Sequence, residues 1–265
     1  MTIMNAVTTR LCVESLDKQY QQGVPVLVDI TFDVRAGEFV SIVGPSGAGK
    51  STLLRCLTGL MPPSGGRVVL DGEVLRGPSQ NISIVFQEYT RSLMPWLTVE
   101  KNVGLPLKAR GVPRSEIERR VADVLVSVGL TGTGSKHPWQ LSGGMQQRVA
   151  IARALVTEPE VLVMDEPFAS VDAQTRLELE DLTRAIQRER SVTVVLVTHD
   201  IDEAVYLSDR IVVLSRNPAS VVEVIEVGLG DDRDQISTRG MPRFGELRSH
   251  VLGTIRDVQD RARAT

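Results

Sequence analysis

Hydrophobic and polar positions follow two alternating periods along this chain. Residues 11–15 and 26–34 alternate imperfectly between apolar and polar, which predicts half-buried strands. Residues 39–44 predict a short apolar strand that runs into a glycine-rich loop. Near Gly49 the spacing becomes helical. Leu53, Leu54, Leu57 and Leu60 share one stripe, and Pro62, Pro63, Gly65 and Gly66 stop it. Residues 68–70 with Asp71-Gly72 predict a strand and turn, and residues 82–86 another strand that ends at Gln87. Just after Pro113, Ser115 and Glu118 form a capping-box pattern. It precedes a helical face of Ile117, Val121, Val124, Leu125 and Val128, with Gly129 as its stop. Residues 132–138 predict a loop and 149–155 a helix.

The later runs at 161–164 and 193–197 are continuously apolar, as strands of a parallel sheet covered on both faces are. Leu179, Leu182 and Ile186 predict a helix between them, and residues 211–214 and 221–227 closing strands. The polar stretch 231–239 predicts a linker. Phe244, Leu247, Val251, Ile255 and Val258 then predict a last amphipathic helix. Strands alternating with helices predict an α/β fold with a mostly parallel sheet and flanking helices. The helix-rich interval from about residue 91 to 155 interrupts that rhythm and predicts an inserted helical subdomain.

Composition narrows the partners. The chain has 265 residues, 42% hydrophobic and 24% charged, which suits a globular protein with ample core. A net charge of −3 and only 4% aromatic residues argue against a nucleic-acid partner. Cys12 and Cys56 predict no disulfide, as expected of a reducing compartment. No apolar run is long enough to span a bilayer, and residues 1–10 lack the apolar core of a signal peptide. A cytoplasmic protein is expected, with any membrane role exercised through a partner.

The candidate chemistry is phosphate chemistry. Gly44-Pro45-Ser46-Gly47-Ala48-Gly49-Lys50-Ser51 fits the P-loop pattern without a mismatch. Glycines let the backbone N–H groups point inward, and the following helix offers its positive end. Lys50 places a charge at the β- and γ-phosphates, and Ser51 offers a hydroxyl to Mg²⁺. Residues 161–164 then lead into Asp165-Glu166-Pro167, so an apolar strand delivers two carboxylates at its end. Asp165 is placed to hold Mg²⁺ through water, and Glu166 to act as general base on the attacking water. His199 ends the next apolar strand. It reads either as a polar loop residue or as a group that reaches the γ-phosphate and orients the water. Gln87 closes its own strand in the same way and could contact Mg²⁺ or the water.

A second motif, Leu141-Ser142-Gly143-Gly144-Met145-Gln146-Gln147-Arg148, separates this chain from other P-loop ATPases. With the P-loop, Gln87, Asp165-Glu166 and His199 in the same order, the chain resembles the ATP-binding subunit of an ABC transporter from about residue 11 to 227. The resemblance implies a P-loop NTPase core, an N-terminal antiparallel β-subdomain and the inserted helical subdomain. Residues 1–232 would form the ATPase domain and 233–265 a linker and tail helix. ATP would contact Tyr20, residues 44–51 and Thr52, with Tyr20 stacked on adenine unless it simply packs at a strand end. Leu141, Ser142, Gly143, Gly144, Gln146 and Asp172 would serve the ATP of a second copy packed head to tail. In the Asp172 loop, Ala169-Ser170-Val171 departs from the family's usual small-Ala-Leu.

The apolar cluster Tyr89, Leu93, Met94, Trp96 and Leu97 reads either as core or as the groove that receives a permease helix. Its Pro95-Trp96-Leu97-Thr98 form, and the tail around residues 235–248, resemble importers of nitrate, sulfonate and taurine-type solutes. Permease subunits and, indirectly, a solute-binding protein are the implied partners, at the inner face of the membrane. A soluble ABC ATPase acting on nucleic acid or ribosomes usually has two ATPase domains or a long coiled-coil insertion. An exporter often carries a fused membrane domain. Neither feature appears here. A non-hydrolysing regulatory module is opposed by intact Lys50, Asp165, Glu166 and His199.

Overall fold

A computed structural model describes residues 8–21, 23–88, 92–216 and 218–263. Tyr89 of the apolar cluster and residues 1–7 of the N-terminal segment lie outside them. In chain order the strands are β1 (Thr9–Gln21), β2 (Val24–Arg35), β3 (Phe39–Val43), β4 (Gly65–Leu70), β5 (Glu73–Val74), β6 (Ile82–Val85), β7 (Val161–Asp165), β8 (Thr193–Val197), β9 (Arg210–Leu214) and β10 (Val221–Glu226). The helices are α1 (Lys50–Leu57), α2 (Val99–Ala109), α3 (Arg114–Ser127), α4 (Gly143–Leu155), α5 (Ala173–Arg190), α6 (Ile201–Leu207) and α7 (Pro242–Arg263). The chain forms two compact units, Met1–Ser79 with Ser191–Thr265, and Gln80–Arg190.

The first unit holds an antiparallel sheet in the order β2-β1-β4-β5. β1 and β2 are longer than their alternation predicts, because irregularities between Val13 and Lys18 break the period without ending the pairing. Asp71 and Gly72 both take positive φ, 50° and 82°, and form the two-residue turn from β4 to β5. The same unit pairs β3 in parallel with β8 on one side and β9 on the other, and β10 closes antiparallel on β9. Every residue of β3, β8 and β9 is buried, which is why these runs carry no polar alternation. Leu60 falls beyond the end of α1 and is 52% exposed, because Gly59 at φ 71° ends the helix first.

The tail helix α7 buries Phe244, Leu247 and Val251 within this unit. The stretch read as a linker is turned and tied down. Asp234 accepts from the backbone of Ile236 and Ser237, and Thr238 is 1% exposed. The side chain of Arg233 is 2% exposed and donates to the carbonyls of Tyr206 and Ser208 at the end of α6.

In the second unit β6 pairs in parallel with β7. Val121, Val124, Leu125 and Val128 are buried as their spacing predicts, and Gly129 ends that run at φ 69°. The capping box does not form. α3 starts at Arg114 behind Pro113, with no side-chain cap, and Glu118 pairs with Arg114 at 2.7 Å instead. Pro113 takes the N-cap position itself, so the helix begins two residues earlier than a Ser115 cap would start it. α5 hides Glu180, Thr183, Arg184 and Gln187 beside Leu179 and Ile186, so its buried face is partly polar. Cys12 and Cys56 are free thiols.

Candidate nucleotide site

In the first unit the loop between β3 and α1 is bent by its glycines. Gly49 caps α1 at φ 72°, and a Cβ there would sit 2.9 Å from Leu27 Cδ2 and 3.0 Å from Val26 Cγ1. Only glycine meets both demands. Lys50 is folded onto the loop and donates from Nζ to the carbonyls of Gly44 at 2.9 Å and Pro45 at 3.1 Å. Its charge is thus held at the loop rather than in solvent. Ser46, Gly47 and Ser51 are exposed, whereas Ala48 and Thr52 are buried. Tyr20 is not packed in its strand. Its ring is 55% exposed, and its hydroxyl hydrogen-bonds Thr52 Oγ1 at 3.0 Å, which fixes the ring beside the start of α1.

His199 lies at the carboxyl end of β8, exposed, in a turn clamped on both sides. Buried Thr198 donates its hydroxyl to Glu203 Oε2 at 2.6 Å and accepts from Asp200 N at 3.0 Å. Asp200 caps α6 by accepting from the amides of Asp202 and Glu203. The Asp200 cap is readable from residue order. The Thr198–Glu203 pair is not, since it joins a strand end to a helix.

The second unit carries the acidic pair. Asp165 ends β7, and Glu166 follows with φ 43°. A non-glycine residue in that region costs about 1–2 kcal/mol, and such strain gathers at functional positions. Gln87, at the end of the neighbouring β6, donates from Nε2 to Glu166 Oε2 at 2.9 Å. The two residues nominated from separate strands therefore meet.

Ser142 is the N-cap of α4 and accepts from Met145 N, which leaves Ser142 and Gly143 exposed at a helix start. Leu141 turns its side chain into the core, and Gln146 donates to the Leu141 carbonyl at 3.2 Å. A Cβ on Gly144 would sit 2.3 Å from Thr175 Cγ2. Thr175 in turn donates from N and Oγ1 to the carboxylate of Asp172. These bonds, the Thr175 hydroxyl first, hold the Asp172 carboxyl below its usual range, so it stays charged at neutral pH. Gly144 and Asp172 are thereby linked through one threonine that the sequence does not single out.

The apolar cluster is divided. Leu93 is 2% exposed and Trp96 71% exposed. Buried Asn102 fixes this loop by bonding Met94 N and the carbonyls of Met94, Leu97 and Thr98. Among the described residues no helix is long and apolar enough to cross a membrane.

Residues 27–169 match the family described as ABC transporter. The taurine import ATP-binding protein TauB of Pseudomonas putida is 40% identical, over 94% of this chain and 98% of its own length. The aliphatic sulfonates import ATP-binding protein SsuB 2 of Burkholderia cenocepacia is 44% identical, over 89% and 84%. Among solved structures, the ATP-binding cassette MJ0796, a dimer bound to ADP and phosphate after hydrolysis, superposes with a TM-score of 0.71. It is 33% identical and covers 82% of this chain and 98% of that one.

Proposed function

The chain belongs to the ABC transporter family, and from that premise we propose that it hydrolyses ATP to drive import of a small solute of the nitrate, sulfonate or taurine type. The near full-length match to taurine and sulfonate import subunits carries this reading. In it, the amides of the 44–49 loop and Lys50 bind the phosphates, and the exposed Tyr20 ring stacks on adenine. Glu166 takes the proton of the attacking water as the water oxygen bonds to the γ-phosphorus. The bond to the bridging oxygen breaks, and ADP and phosphate leave. His199 and Gln87 orient that water.

The Ser51 hydroxyl, the Asp165 carboxylate and the Gln87 carbonyl are hard oxygen donors. They fit Mg²⁺, which keeps most of its waters and takes few protein ligands. When bound, Mg²⁺ neutralises charge on the β- and γ-phosphates. Leu141 through its backbone, Ser142, Gly143, Gly144, Gln146 and Asp172 serve the ATP of a second copy in a two-fold pair. Integral-membrane permease subunits hold the pair at the inner face of the membrane and receive solute from a binding protein. The exposed Trp96 meets the permease.

Two measurements test this. Glu166→Gln should keep ATP binding, lose about 100-fold or more of turnover, and elute as an ATP-dependent dimer. Normal turnover would remove Glu166 as the base. The tagged chain, purified from its own detergent-solubilised membranes, should bring a polytopic permease with it. A ribosomal or DNA-associated partner in its place would overturn the import assignment and leave the ATPase chemistry standing.

A further inference from the structure

β9 runs parallel to β3 with Val213 opposite Val43, so both strands end at the same edge. β3 leads into the phosphate loop and β9 into Ser215-Arg216. The approach is close, since a Cβ on Gly44 would lie 3.0 Å from the Leu214 carbonyl. At the apex of the loop, a Cβ on Gly47 would lie 3.9 Å from Arg216 Nε. The turn behind Arg216 is anchored, because Ser215 Oγ accepts from Ser220 N at 2.7 Å and bonds Ser220 Oγ at 2.9 Å. Arg216 itself is exposed, and among the described residues it has no carboxylate partner. The arginines of the antiparallel sheet and of β9, Arg10, Arg35, Arg67 and Arg210, each have one. An uncommitted guanidinium beside the apex of the loop can pair with a phosphate held there.

We propose that Arg216 is a second cation of the nucleotide site, binding the terminal phosphate of ATP beside Lys50 and favouring the triphosphate over the diphosphate. This rests on the reading of residues 44–51 as the phosphate loop. Lys50 enters from within the loop and is held by its carbonyls, whereas Arg216 stands at the rim by Gly47. The added charge acts where ATP carries a group that ADP lacks.

The test is calorimetric titration of the full chain with MgATP and with MgADP, for the wild type, Arg216→Ala, Arg216→Lys and Lys50→Ala. Arg216→Ala should weaken ATP about tenfold and ADP by less than about threefold, a discrimination a structural role would not produce. Arg216→Lys should recover part of the loss, since the charge remains without the planar fork. The ATP deficit of Arg216→Ala should shrink as salt rises. Arg216 is exposed, so these variants should fold, and equal melting temperatures would verify it. Unchanged ATP affinity in Arg216→Ala, with binding abolished in Lys50→Ala, would overturn the role of Arg216 alone. An equal loss for ATP and ADP would overturn it too. Full binding by Lys50→Ala would overturn the phosphate-loop reading, and this proposal with it.

Discussion

Glu166 carries two constraints at one residue: a left-handed backbone and a hydrogen bond from Gln87. The backbone strain is independent of the carboxylate. Glu166→Gln should therefore melt close to the wild type in the absence of nucleotide. Gly144 is constrained by space instead. Gly144→Ala would drive a methyl group to 2.3 Å from Thr175 Cγ2 and push apart the starts of α4 and α5. The expected cost is about 1–3 kcal/mol, read from urea midpoints. Gly144→Ala/Thr175→Ser, which removes the clashing methyl, should recover most of it. At Thr198 the buried hydroxyl both donates and accepts. Thr198→Val should lower kcat at least about tenfold with little change in the KM for ATP, because it frees the turn that carries His199. Thr198→Ser should restore it.

At the scale of elements, α6 is held at both ends. Asp200 caps its start, while Arg233 covers its last carbonyls and pairs with Asp209 at 3.7 Å. Arg239 lies 5.2 Å from the Tyr206 ring and 5.9 Å from that of Phe244, which ties the tail to α6. Arg233→Ala takes away the side-chain donor to the carbonyls of Tyr206 and Ser208, while Asp209 keeps its bond from Phe39 N. It should cost about 3 kcal/mol, measured by denaturant unfolding. Removal of residues 233–265 should cost at least as much, since it also uncovers the surface against which Phe244, Leu247 and Val251 pack. A truncated chain as stable as the full one would show that the tail is a separate appendage. The same scale shows how a local rule loses. The Ser115–Glu118 box is a valid pattern, but Pro113 already starts α3, and Arg114 takes Glu118 as its partner.

For the whole molecule, the residues nominated for ATP divide between the units. Tyr20, the 44–51 loop and His199 belong to one, and Gln87, Asp165, Glu166, the 141–148 motif and Asp172 to the other. ATP at 100 times its Kd should raise stability by about 2.7 kcal/mol, an increment that Lys50→Ala should abolish in a thermal-shift titration.

Much of this was determined by sequence alone. The 44–51 loop, the acidic pair after an apolar strand and the 141–148 motif are contiguous, so each can be nominated from its spacing. The buried parallel strands announce themselves because no face of β3, β8 or β9 meets water. Tertiary structure decided what depends on a distant neighbour. It put Trp96 in solvent and Leu93 in the core, buried Arg233 in a stretch that reads as a linker, joined Thr198 to Glu203 and brought Arg216 to Gly47. Periodicity separates one face of an element from the other. It does not say what covers that face, and the cost of burying a charge or a hydroxyl is set by the partner it finds there.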